Sequence, residues 1–297
     1  MNDLLASYPW PALPGESERP VWTNSGFLLH GKHQPLLCYS EHQSHWSPDL
    51  TALHEEEAGR SHPIDLASRR LARHAIRGHC KGRDALILEV GCSSGYLLEE
   101  LAAEFPGRNV MGADYIAEPL RALSRRHPNF PLLQFDLKEC PLPSNSVDAV
   151  IALNVLEHID DDQKALASIS RILKPGGMAH IETPAGPDYY DVYDEHLMHQ
   201  RRYCLGELIE KGGSAGLKVI RATHLGFLVF PAFAIVKRLN RKRLSLTPEE
   251  KSKIVASQIR NSRNQPFLDA LMWLETAIGT LLSYPCGIRC VVTFCKA

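Results

Sequence analysis

The 297-residue chain carries a formal net charge of −1, with 44% hydrophobic and 23% charged residues. That length suits one large α/β domain or two modest ones, and the near-neutral balance removes the general electrostatic argument for nucleic acid as the main partner. The apolar run Leu225 to Val236 contains Pro231 and falls short of the ~20 residues that a membrane span needs. The start, MNDLLASYPWPALPG, has neither the basic region nor the apolar core of a secretory signal, so a soluble, cytoplasmic protein is expected. Eight cysteines without a C-x-x-C pair read as reduced, mostly buried thiols.

Residues 1–60 are rich in Pro, His and Trp and show no period. They read as an N-terminal arm or lid, with Trp10, Trp22 and Trp46 as anchors. His30, His33, His42, His45 and His54 show no ligand spacing, and no metal site is expected. In SHPIDLASRRLARHAIRGH, Ser61 is placed to cap a helix and Pro63 to start it.

From Ala85 to about Leu225 strands and helices alternate. ALILEV, NVMGAD, PLLQFD, VDAVIALNV, MAHIET and KVIRATHL read as strands, and the segments between several of them have helical spacing. The pattern predicts a doubly wound, mostly parallel sheet with helices on both faces. Its ligand-bearing loops lie at the strand C-termini. Residues 61–225 form this core. Residues 226–297 read as a helical insertion or cap with a closing strand, GIRCVVTFCKA, of the same domain. Phe267, Leu271, Leu274, Ile278 and Leu281 lie on one stripe, expected to be buried. LGFLVFPAFAIVKRLNRKR reads as a core helix with a solvated basic end. A peripheral membrane or lipid-like substrate contact through 225–243 is the alternative.

The segment GCSSG, Gly91 to Gly95, fits two chemistries. As G-x-S-x-G it would make Ser93 a hydrolase nucleophile. As a glycine-bounded loop after a buried strand it would cradle a nucleotide-like cofactor. The following strands favour the cradle. Asp114 ends the next strand, nineteen residues after Gly95, where a carboxylate accepts from ribose hydroxyls. Asp136 ends the third strand and Glu89 stands just before GCSSG. This acidic row suits a ribose, an adenine and a cationic group, and would repel a pyrophosphate. A hydrolase would need an upstream oxyanion segment, and none is visible. A non-catalytic cofactor-binding regulator remains a third reading.

The segments LEVGCSSGYLLEEL, GADY, FDLKECPLPSNSVDAVIALNVLEHIDD and RILKPGGMAHIETP together resemble the class I S-adenosylmethionine-dependent methyltransferases. The small-molecule group that includes the ubiquinone-pathway O-methyltransferases is the nearer likeness. The resemblance covers about half the chain, with Ser93 where the family's first motif has its middle glycine. It implies a Rossmann-like sheet whose last strand is antiparallel, S-adenosylmethionine as methyl donor, and S-adenosylhomocysteine as product. It places Glu89 and the loop Gly91, Cys92, Ser93 and Gly95 at the methionine part. Asp114 and Tyr115 fall at the ribose and adenine, Asp136 and Leu137 at the adenine edge, and Asn154 and Val155 over the methionine end. The implied reaction is methyl transfer to a small-molecule acceptor, most readily a hydroxyl. His158 is the first candidate base, with His199 and Tyr203 from YDEHLMHQRRY on the acceptor side. Oligomeric state is not readable.

Overall fold

The computed structural model describes residues 3–40, 60–81, 84–241, 243–247, 250–251, 253–255, 257 and 266–297. The chain enters through α1 (Asp3–Ser7) and a small antiparallel sheet of β1 (Val21–Trp22), β2 (Phe27–Leu29) and β3 (Lys32–Gln34). Trp10 and Trp22 each meet the ring of Phe27 edge-on, at 4.9 and 4.8 Å, and all three join the main core. The Trp10 indole donates to Leu5 O, and the Tyr8 hydroxyl donates to Ser146. The described part of the arm thus packs on the sheet, away from the cavity described below; none of its residues lines that cavity. Trp46, His42, His45 and His54 lie outside the described residues.

After β4 (Leu37–Cys38), helix α2 (Pro63–His79) has Pro63 in its first turn as expected. Its N-cap is His62, without a side-chain cap bond, rather than Ser61. The alternating core follows: β5 (Leu86–Val90), α3 (Tyr96–Glu104), β6 (Asn109–Asp114), α4 (Ala117–Arg126), β7 (Leu132–Gln134), β8 (Val147–Leu153), α5 (Asp162–Ile172) and β9 (Leu173–Pro184). Then come α6 (Val192–His196), α7 (Leu205–Ser214), β10 (Leu217–Leu225), α8 (Phe230–Arg241), α9 (Pro266–Gly279) and β11 (Arg289–Lys296). Every residue of β5 is buried, as a strand covered by helices on both faces requires.

The main sheet has the order β10-β11-β9-β8-β5-β6-β7-β4. β11 runs antiparallel to both neighbours, and the remaining pairs are parallel. The turns leaving β5 to β9 therefore open along one edge, where ligands bind in such sheets.

Two helices depart from expectation. In α9 the stripe is turned outward: Phe267, Leu274, Ile278 and the following Leu281 are exposed, while Met272, Glu275 and Thr276 are buried. The Glu275 carboxylate accepts the backbone N–H groups of Gly226, Phe227 and Leu228. Met272 packs with Leu71, Leu225 and Val291. Three charge-assisted bonds to a turn outweigh the local apolar pattern. In α8, Lys237 and Asn240 are buried, whereas Ile235 and Leu239 are 62% and 54% exposed. The expected core helix with a solvated basic end is thus half inverted: Lys237 faces in, and Arg238 and Arg241 face out.

Candidate active site

The first half of the site is made by the β5 turn. Gly91 and Gly95 have φ of 74° and 78°, and Ser93 has 44°, so the backbone curls with N–H groups turned toward the neighbouring strand. Gly91 and Cys92 donate to Ala113 O at 2.8 and 3.1 Å. Asp114 then accepts from Ser93 N and Ile116 N, both at 3.0 Å. This fixes its carboxylate at the tip of β6. A Cβ on Gly91 would stand 2.6 Å from the Val155 side chain, so only glycine lets the β5 and β8 turns approach this closely. Asp136 caps the short turn Leu137–Glu139 by accepting from Lys138 N at 2.9 Å. Asn154, at φ 53°, donates its backbone N–H to Glu182 O.

A cavity of about 820 Å³ runs along these tips. Gly91, Ser93, Asp114, Tyr115, Asp136, Leu137, Asn154, Val155, His158 and His199 all line it. Three expected cofactor residues stand behind the lining instead. Cys92 is a packed thiol against Gly112. Gly95 caps α3 and fits against Leu123. Glu89 is buried, with Oε2 lacking a partner. Burial pushes its pKa well above the usual carboxylate range, against the pull of Arg69.

The other end of the cavity is built from two turns tied together. Gln200 N donates to Glu157 O at 2.7 Å, and the Tyr203 hydroxyl donates to Leu156 O at 3.1 Å. This draws His199 to the short turn Leu156–His158, and the His158 and His199 ring centroids lie 4.8 Å apart. His199 Nδ1 is 2.8 Å from Asp194 Oδ1. Asp194 also accepts from Arg202 Nε at 2.8 Å and Lys237 Nζ at 3.1 Å. Burial works against its ionisation, but His199, Lys237 and Arg202 hold its carboxyl far below the ordinary range. Desolvation lowers the His199 imidazole, with Asp194 opposing, which keeps the ring neutral at pH 7. Glu157 is fully buried, and burial raises it to about 8.

Tyr203, expected on the acceptor side, is not part of this cavity. It is fully buried, and its hydroxyl donates to Asp162 at 2.7 Å. Burial, then Asp162, push its ionisation far above the physiological range, so it props the turn and cannot serve as a base. The sequence reading missed His62, Phe233, Lys237 and Arg289, which also line the cavity. Phe233 and Lys237 stand at i and i+4 on α8, one helix face, and that spacing was the available signal. Arg289 pairs with Glu182 and Asp65 at 2.7 Å each, contacts across more than a hundred residues that no local pattern announces.

A parallel sheet with one reversed strand, a glycine turn after the central strand and acidic groups at the neighbouring tips give the chain the Rossmann-like fold of its methyltransferase neighbours among solved structures. Residues 88–181, GCSSG included, match the family described as "Methyltransferase domain", which removes the hydrolase reading of Ser93. A relative from Mycolicibacterium smegmatis, named "Probable S-adenosylmethionine-dependent methyltransferase", is 34% identical over 47% of this chain and 54% of its own. A "Ubiquinone biosynthesis O-methyltransferase" of Klebsiella pneumoniae is 33% identical over 33% of this chain and 41% of its own. The chain thus spans about half the length of the curated relatives it matches. Among solved structures, phosphoethanolamine N-methyltransferase 2 of Haemonchus contortus, in complex with S-adenosyl-L-methionine, superposes with a TM-score of 0.54 at 17% identity. That match covers 85% of this chain and 57% of the other. No helix among the described residues is long and apolar enough to cross a membrane.

Proposed function

We propose that the protein methylates a small-molecule acceptor, most readily at a hydroxyl, with S-adenosylmethionine as donor. The observation that carries this reading is the single cavity joining the acidic strand tips to a second pocket walled by His158, His199 and Lys237. A cofactor-binding regulator would not need that second pocket. The fit to the donor is chemical. Asp114 stands where a ribose diol would be accepted, Tyr115 and Leu137 offer apolar surface for an adenine, and Asp136 offers an acceptor at its edge. Gly91, Ser93, Asn154 and Val155 would enclose the methionine end, with Glu89 behind them. Lys138 reaches across the mouth, 2.7 Å from Asp160 and 3.7 Å from Asp136, and would close over the adenine.

When bound, the donor supplies an electrophilic methyl group. The chain's own residues align the acceptor and exclude water. The His158 and His199 imidazoles are the groups able to take a hydroxyl proton, with Asp194 fixing the His199 ring. Lys237, Arg202 and Arg289 line the pocket, each paired with a carboxylate of Asp191, Asp194, Glu182 or Asp65, so they offer hydrogen-bonding groups suited to a hydroxylated acceptor. Exposed Ile235 and Leu239 beside Arg238 and Arg241 on α8 support a second element of the reading, a lipid-like acceptor delivered from an anionic bilayer surface.

The test is calorimetric titration with S-adenosylmethionine and S-adenosylhomocysteine. Saturable binding is expected, weakened roughly tenfold or more in Asp114→Ala, which removes a charged hydrogen-bond acceptor. A folded wild-type protein that binds neither would overturn the reading. With binding established, a labelled-methyl screen of phenols and hydroxy acids identifies the acceptor.

A further inference from the structure

We infer that Glu157, His158 and His199 form a binding site for one divalent transition-metal ion in the wall of the acceptor pocket. No metal was expected from the sequence, because the histidines and acids between Tyr193 and Tyr203 gave no clear ligand set, and His199 lies some forty residues from Glu157 and His158. The fold brings the three together through the Gln200 N–Glu157 O backbone bond and the contact of the Tyr203 hydroxyl with Leu156 O. One ligand atom from each lies within 4.8 Å of the other two. Ligands about 2.1 Å from a tetrahedral ion stand about 3.4 Å apart, so modest side-chain rotations close the set.

Two independent observations point to a cation. The first is Glu157. It is fully buried, it lines the cavity, and neither carboxylate oxygen has a hydrogen-bond partner from another residue. The nearby guanidiniums are engaged elsewhere: Arg202 on Asp194 and Ala185 O, Arg289 on Glu182 and Asp65. An unpaired buried carboxylate is costly, and an ion between it and the two imidazoles would remove that cost. The second is the Asp194–His199 pair. Asp194 is charge-paired with Arg202 and Lys237, so it acts as the acceptor and His199 Nδ1 as the donor. The lone pair is then left on Nε2. A carboxylate behind the histidine is the usual outer support of a metal-bound imidazole.

Two nitrogens and one carboxylate select zinc, cobalt, iron or manganese over magnesium and calcium. Three protein ligands facing a cavity leave a position open, as in catalytic rather than structural sites. For the chemistry, the inference rests on the methyl-transfer reading: the open position would take the acceptor oxygen and acidify its hydroxyl, which makes the imidazoles ligands instead of bases.

The experiment uses the full chain, stripped with chelator and titrated with cobalt(II) under visible absorption, with circular dichroism as the check of folding and S-adenosylhomocysteine binding measured alongside. One cobalt per chain is expected, with d–d bands, displaced by zinc. Glu157→Gln and His199→Ala should each weaken it by roughly 100-fold while S-adenosylhomocysteine binding persists. His196→Ala, on α6 but outside the trio, should leave it unchanged. Absence of saturable cobalt binding by protein that binds S-adenosylhomocysteine overturns the site, as does unchanged affinity in both ligand variants. Cobalt binding without S-adenosylhomocysteine binding would sink the methyl-transfer reading and leave the metal site standing.

Discussion

Single residues at this site divide by what their polar atoms touch. His158 and His199 face the cavity, whereas Tyr203, only four residues from His199, spends its hydroxyl on Asp162 and Leu156 O. Tyr203→Phe is therefore expected to cost about 2 kcal/mol of stability, the worth of a bond to a charged partner. Asp162 keeps Arg201 and Lys211. The pH profile of methyl transfer should keep its shape, and urea unfolding together with that profile checks both halves. The strand-tip residues that line the cavity were readable because each belongs to a short motif at a strand end: GCSSG, GADY, FDL, LNV. Glu89, Cys92 and Gly95 were assigned with them, yet they sit one layer back. A motif fixes which turn approaches the ligand but not which side chains of the turn face it.

At the scale of elements, α8 and α9 carry the largest departures. Both have a stripe that sequence patterning would bury, and both place it outward because a charged residue on the opposite face has a fixed partner inside. For α9 that residue is Glu275, on the 226–228 turn. For α8 it is Lys237, 2.6 Å from Asp191 and 3.1 Å from Asp194. Lys237→Met, close in volume, should destabilise by about 3 kcal/mol, since it leaves buried carboxylates short of a partner. Arg238→Met, one residue on and exposed, should stay within about 0.5 kcal/mol. Thermal and urea unfolding of the pair measures the contrast. The strands were legible because burial on both faces writes a continuous apolar run. The helix faces were not, because their orientation depends on partners far away in the chain.

The sheet also carries a pH dependence. His180 on β9 is buried, with Nδ1 at 2.9 Å from Thr293 on β11. Burial lowers its pKa to about 4 from the ordinary 6.5, and Arg221, His74 and His79 add to the effect. The unfolded chain therefore takes up this proton at a higher pH than the folded one. Stability from this residue is full above about 6.5 and falls as the pH drops toward 4, by about 3 kcal/mol in all. His180→Gln should flatten that limb, as read from urea midpoints across pH 4 to 7.

For the whole molecule, the two halves of the cavity, proposed above for donor and acceptor, differ in how they are wired. The strand-tip half is made by consecutive strands from β5 to β8, each supplying its own turn. The acceptor half borrows Lys237 from a stretch that leaves the sheet at Leu225 and returns at Arg289, and those two residues are direct partners across β10 and β11. The chain's exit and re-entry points are therefore side by side, so the whole excursion is in effect a long hairpin loop. Such a loop is an interchangeable part. A different stretch of residues could be spliced between the same two anchors, provided that it covers Leu225 and Val291. It would present a new wall to that half of the cavity while the strand tips of the other half stayed as they are. Divergence in what such a protein modifies would accumulate in 226–288, and constancy in what it modifies with would accumulate in 86–153.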